Sequence, residues 1–254
     1  MANWNDPQPT RRDSRTGFGA YSGLGGAAAG QAATVDPGLR SYMLSIYNYM
    51  ASGVLLTGVV AMLFAQSGMA AQVFVNGGAL SWLIILSPLA FVMVMSFGLN
   101  RLSTTALQAT YWAYCAVMGL SMSTIFLVYT GTSIAATFFA TAGAFAGLSL
   151  YGYTTKRDLS GMGTFLIMGL VGIIIASIIN MFLHSSGLAW GISFLGVLIF
   201  AGLTVYDTQK LREMYYHVAG SDFMGKMVVM GALSLYLDFI NLFMFLLRFM
   251  GDRR

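Results

Sequence analysis

Residues 233–250 read LSLYLDFINLFMFLLRFM. The run is apolar enough to cross a bilayer as a helix, for which about 20 mostly apolar residues suffice. Asp238 interrupts it, and no lysine or arginine stands within nine positions of that aspartate on either side. A lone carboxylate in hydrocarbon is costly, so such a residue faces the interior of a helix bundle and finds a partner there. Its neighbours say which face turns inward. Gly231, Ser234, Asp238, Asn241, Phe245 and Arg248 follow in steps of 3, 4, 3, 4 and 3, which traces one stripe along a helix. Small and polar residues on that stripe, with Leu, Phe and Met elsewhere, mark it as the packed face.

The rest of the chain has the same character. Charged residues are 9% of the 254, against about a quarter in soluble domains. Between Ser41 and Thr155 the one formally charged residue is Arg101, too few to cover a soluble surface. The predicted fold class is therefore an all-α integral membrane protein. Seven segments qualify as transmembrane helices, at 43–66, 80–99, 106–128, 133–153, 162–183, 188–207 and 227–250. Residues 1–40, rich in Gly, Ala and polar side chains, are predicted to be a disordered cytoplasmic tail, leaving 41–254 as the membrane domain. The tail lacks the charged start and long apolar core of a cleaved signal peptide.

Loop charges alternate. Arg11, Arg12, Arg15 and Arg40 precede the first span; Arg101, then Lys156 and Arg157, then Lys210, Arg212 and Lys226 mark every second loop, and the loops between them carry no Lys or Arg. Basic loops stay on the cytoplasmic side, so the N-terminus is expected there. Seven full spans then place the C-terminus outside, whereas Arg248, Arg253 and Arg254 favour the inside; a re-entrant final segment is the alternative. A bacterial inner membrane fits the short tail.

Other chemistries lack support. The chain has one cysteine and two distant histidines, with no HExxH, CxxC or GxxxxGK[ST], so zinc hydrolysis, P-loop chemistry and enzymatic function in general are not expected. The scattered basic residues form no nucleic-acid face. No resident cofactor is expected; the lipid bilayer is the partner that composition itself implies, and the oligomeric state is left open.

A second acid joins Asp238. Of the nine acidic residues only Asp207 and Asp238 fall within apolar runs, and the midpoint between them lies near Asp222, inside HVAGSDFMG. Gly220 there is suited to end a helix, and Ser221 or Asp222 to start the next. A hairpin turning at that point, its first helix continuing through KLREMYYHV, would set both carboxylates roughly 20 Å along their helices, at one level. Gly196, Phe200, Leu203 or Thr204, and Asp207 form the matching face. Two carboxylates in a low-dielectric site cannot easily both ionise and titrate as a unit. Ionised, they offer the hard oxygen ligands calcium prefers. The plain structural alternative is a buried acid held protonated by a hydroxyl or carbonyl.

VYDTQKLR at 205–212 and ALSLYLDFINLFMFLLRFMG at 232–251 resemble the closing signature of the Bax inhibitor-1 family, the transmembrane Bax-inhibitor-motif proteins, in its bacterial type. YGYTTKRDLS at 151–160 is similar to that family's connection between its fourth and fifth helices. The resemblance covers about 41–251. It implies seven helices with the last surrounded by the other six, and a pH-sensitive calcium leak gated by an aspartate pair that maps onto Asp207 and Asp238, with calcium bound there transiently. It also implies a basic latch at the end of the second helix, for which Arg101 is the candidate, and a link of bacterial members to membrane-protease quality control.

Lesser features have plain readings. The 18 methionines are packing filler. Gly143 and Gly147 form a GxxxG expected to serve packing within the bundle. Tyr206, Tyr236 and Asn241 are candidates to hydrogen-bond the acids or one another, Ser234 and Asn241 being the supporting residues on the stripe. Pro88 should kink its helix, and His217 should face solvent. The expected function is a calcium-permeable leak channel controlled by protonation of the pair. A non-conducting partner of a quality-control protease and a proton-coupled transporter are the alternatives.

Overall fold

The computed structural model describes residues 36–254; the expectation of disorder for 1–35 lies outside the described residues. Nine helices occupy them: α1 (Pro37–Gln66), α2 (Met69–Val75), α3 (Ala79–Gly98), α4 (Thr104–Met122), α5 (Ile125–Val128), α6 (Gly131–Thr154), α7 (Ser160–Leu183), α8 (Ser186–Val218) and α9 (Met224–Met250). With α4 and α5 taken as one broken span, seven are long and apolar enough to cross a membrane. The first begins inside the expected tail: Asp36 caps it by accepting from Gly38 N, and Pro37 fits the first turn, where its missing N–H costs nothing. The short α2 falls below spanning length.

α9 is the most enclosed of the seven. In its most apolar window 72% of residues are buried, against 11% for α3 and α7. It packs chiefly against α1, α4, α6 and α8, while α3 rests on α4 and α7 on α8. Enclosure by six neighbours thus reduces to four principal ones, because the two most apolar helices sit at the rim. Two glycines let backbones close up. A Cβ at Gly152 on α6 would strike the carbonyl oxygen of Val205 on α8, and one at Gly119 on α4 would stand 2.7 Å from Thr57 O on α1. Gly143 and Gly147 instead meet nothing within 4 Å. The GxxxG on α6 faces outward, contrary to the expected packing within the bundle.

Pro88 stays inside an unbroken α3. It cannot donate to Ile84 O, and Ser87 Oγ donates to that carbonyl instead, at 3.0 Å. α8 runs on through KLREMYYHV as the hairpin requires, and Gly220 takes the left-handed φ of +76° just beyond its end. Neither Ser221 nor Asp222 caps α9. Ser221 Oγ donates back to Val218 O, and Phe223 occupies the cap position with no side-chain bond. α9 then continues for 27 residues, about 40 Å, without the break a re-entrant segment needs. Beyond it Thr130 N donates to Asp252 O and Arg254 N to Val128 O, tying the C-terminus to the end of the bundle that bears the uncharged loops.

Candidate functional site

The two acids meet in one cavity. Asp207 lies eleven residues before the end of α8 and Asp238 fourteen after the start of α9, about 16 and 21 Å along their axes. Both line a space of about 870 Å³ between α7, α8 and α9, with Ser234, Asn241, Lys210 and Arg248. The stripe reaches the cavity from Ser234 to Arg248; its first member, Gly231, packs on Leu211 and Ile46 instead. On α8 it is Leu203 that faces the cavity. Thr204 is fully buried elsewhere, its hydroxyl donating to Phe200 O. The two faces interlock below the acids, where Phe245 fills the gap above Gly196 and stacks on Phe200 at 5.7 Å between ring centroids.

Asp238 is 4% exposed and Asp207 half-buried. Among the described residues no hydrogen bond joins the carboxylates, and Oδ2 of Asp238 has no partner at all. Candidate supports are occupied elsewhere. Asn241 Nδ2 donates to Leu237 O at 2.8 Å, and the hydroxyl of Tyr236, on the opposite face, bonds Thr57 Oγ1 at 2.6 Å. Arg101 is exposed in the turn between α3 and α4 and does not line the cavity. The basic group set beside Asp207 is Lys210, one turn further along α8, which acts on that carboxylate through space.

The sequence 205–212 is built into the bundle residue by residue. Val205 meets Gly152, and the Tyr206 ring covers Gly163 on α7. Thr208 Oγ1 pairs with Ser149 Oγ at 2.9 Å, which pairs with the Tyr47 hydroxyl at 3.0 Å. Gln209 accepts from Leu159 N and donates to Arg157 O, while Arg212 donates to the carbonyls of Tyr153 and Thr155. Asp207 lines the cavity with Tyr206 and Lys210 of this run, and among the described residues its carboxylate makes no hydrogen bond. A family model described as Inhibitor of apoptosis-promoting Bax1 matches residues 39–254.

The chain belongs to the Bax inhibitor-1 family. An uncharacterized protein of Rickettsia prowazekii is 46% identical over 222 residues, covering 87% of this chain and 93% of its own length. The inner membrane protein YbhL of Escherichia coli strain K12 is 46% identical over 219 residues, 85% of this chain and 94% of its own. An uncharacterized protein of Caulobacter vibrioides is 44% identical over 232 residues, 87% and 92%. The Bax inhibitor-1 match takes in all nine helices but for the first two residues of α1.

Inside this Bax inhibitor-1 bundle, Lys210 and the α7 residue Ser177 are cavity residues that sequence reasoning missed. Lys210 reads as a loop charge when loops are compared, although the hairpin argument already carries the helix past it. Ser177 sits in IIIASIIN, where nothing marks the inward side. The loop between α6 and α7 is also held from within: Asp158 accepts from Ser160 N at 2.9 Å and Ser160 Oγ at 2.6 Å. Those bonds hold its carboxyl below the usual aspartate range.

Proposed function

We propose that the chain is a pH-sensitive calcium leak channel of a bacterial inner membrane, controlled by protonation of the Asp207–Asp238 pair, and not an enzyme. The observation that carries the reading is the bare Oδ2 of Asp238, buried in a cavity that a second carboxylate also lines. A buried, ionised and unpaired carboxylate is costly; a proton or a cation entering the cavity removes that cost, so occupancy and protonation compete for one site. Calcium takes six to eight oxygens. Two carboxylates with Ser234 and Asn241 offer six at most, and fewer when a carboxylate binds through one oxygen, which suits an ion that keeps part of its water and passes on. The inner-membrane name of the Escherichia coli relative supports the location. The basic loops support a cytoplasmic N-terminus, with residues 252–254 on the far side.

Calcium flux into proteoliposomes, measured across pH for the wild type, Asp207→Asn and Asp238→Asn, tests the reading. Wild-type flux should change with pH and each variant should flatten the profile. If both variants keep the wild-type profile, the gate is wrong. Saturable flux that requires a proton gradient would instead favour coupled transport.

A further inference from the structure

The end of the bundle away from the charged loops carries Arg248 on α9, followed by Arg253 and Arg254. A cavity of about 430 Å³ opens here between the last turns of α7 and the first turns of α8. Arg248 and Arg253 both line it, beside Asn180, Ser186, Ser193 and Trp190. Among the described residues the two arginines are the only charged side chains on its wall. Among the described residues neither guanidinium lies within 4.0 Å of a carboxylate, the ion pair present being Arg212 with Glu213 at the other end of α8. Arg248 lies over the Phe245 ring at 5.8 Å and Arg253 over Tyr129 at 6.0 Å, contacts that leave charge unneutralised. Two cations therefore converge on a polar cavity to which no described residue contributes an anion.

The surroundings give the depth of this cavity. Trp190 stacks on Phe194 at 5.7 Å and leans on Phe249 at 5.5 Å, and all three rings are exposed. Exposed tryptophan at a helix end is the mark of the headgroup level of a bilayer. A guanidinium presents paired donors that match two phosphate oxygens, and the positive end of α8 adds to the field.

We propose that this cavity binds a phosphate group, which in the membrane is that of an anionic phospholipid. The same wall would also accept free inorganic phosphate, and the test separates the two. The site stands whether or not the neighbouring acid cavity conducts, although Arg248, Ser177 and Met181 line both.

The full chain, with Trp4, Trp82 and Trp112 changed to Phe so that Trp190 alone reports, is reconstituted in phosphatidylcholine vesicles. Phosphatidylglycerol or phosphatidylcholine with brominated acyl chains is then added in rising fraction. Brominated phosphatidylglycerol should quench Trp190 at a roughly thirtyfold lower mole fraction than brominated phosphatidylcholine, the preference expected of two arginines near the surface. Arg248→Gln with Arg253→Gln should bring the curves together, and the corresponding Lys pair should restore part of the gap. A gap that survives millimolar inorganic phosphate assigns the site to lipid; one that phosphate closes assigns it to the free ion. Coincident curves in the Trp190-only parent, with no response of its emission to phosphate, overturn the proposal whether or not the Gln variant folds, as does a gap undiminished in that variant.

Discussion

At Asp238 a leucine or asparagine would sit more comfortably than the residue present. One carboxylate oxygen is buried and bare, and replacing such a group by a neutral one of similar size is commonly neutral or stabilising. Asp238→Asn should therefore hold or raise the thermal midpoint in detergent. A gain of about 1 kcal/mol would appear as roughly 2–4 °C, even as the same variant loses the pH response of flux. A lowered midpoint would show that the carboxylate braces the bundle instead. The two kinds of glycine on α6 make a second comparison. Gly152→Ala drives a methyl into Val205 O and should cost about 1–3 kcal/mol, whereas Gly143→Ala meets open space and should gain up to about 1 kcal/mol of helix propensity. Paired thermal melts check both signs. The contrast also marks what was legible. The stripe around Asp238 is visible because steps of three and four define a face whatever lies opposite. Gly143 and Gly147 obey the same spacing, yet spacing says nothing about which neighbour a face meets, and theirs meets none among the described residues. Arg101 meets the same limit: its place at the end of a span is in the sequence, but its distance from Asp207 depends on where α3 packs, and α3 packs on α4.

Among the elements, the seven long helices were readable because hydropathy alone sets their length. α2 was not, since seven residues fall below any spanning signal. The continuation of α8 beyond the bilayer followed from the hairpin argument about Asp222, and Gln209 and Arg212 now explain it: they fasten that extension to the loop between α6 and α7. Asp158 in this loop supplies a pH test. Its folded carboxyl is held below the usual range by Ser160, so the contribution is fully present above the ordinary aspartate value of about 3.9 and is lost as pH falls through the lower folded one. Asp158→Asn should lower the thermal midpoint slightly at neutral pH, and the difference from wild type should vanish in strong acid. A difference that stays constant with pH would mean that the carboxylate charge plays no part.

For the whole molecule, the arrangement separates the acids from most of the basic residues. Most lysines and arginines of the described residues stand at or near one end, the acid cavity lies partway along the bundle, and Arg248, Arg253 and Arg254 stand at the other end against the usual distribution of charge. An anionic lipid at those arginines would remove that conflict, and it predicts that the detergent-solubilised protein retains anionic phospholipid through purification while Arg248→Gln with Arg253→Gln retains less, as lipid extraction and mass spectrometry would read.

The order of the helices along the chain has a consequence for biogenesis. The most enclosed span, α9, follows the other six, so a ribosome that has delivered α8 leaves a half-built protein in the bilayer with its axial slot still open to lipid. Thr57, whose hydroxyl donates to Cys115 O on α4, gains its second partner, the Tyr236 hydroxyl, only when α9 arrives. Insertion of the first six spans thus precedes closure of the fold by the seventh, and the exposed turn around Gly220 makes the two events separable. Fragments 1–220 and 221–254, produced from separate messages in one cell, should copurify as a complex, while the first fragment alone should be cleared by proteolysis.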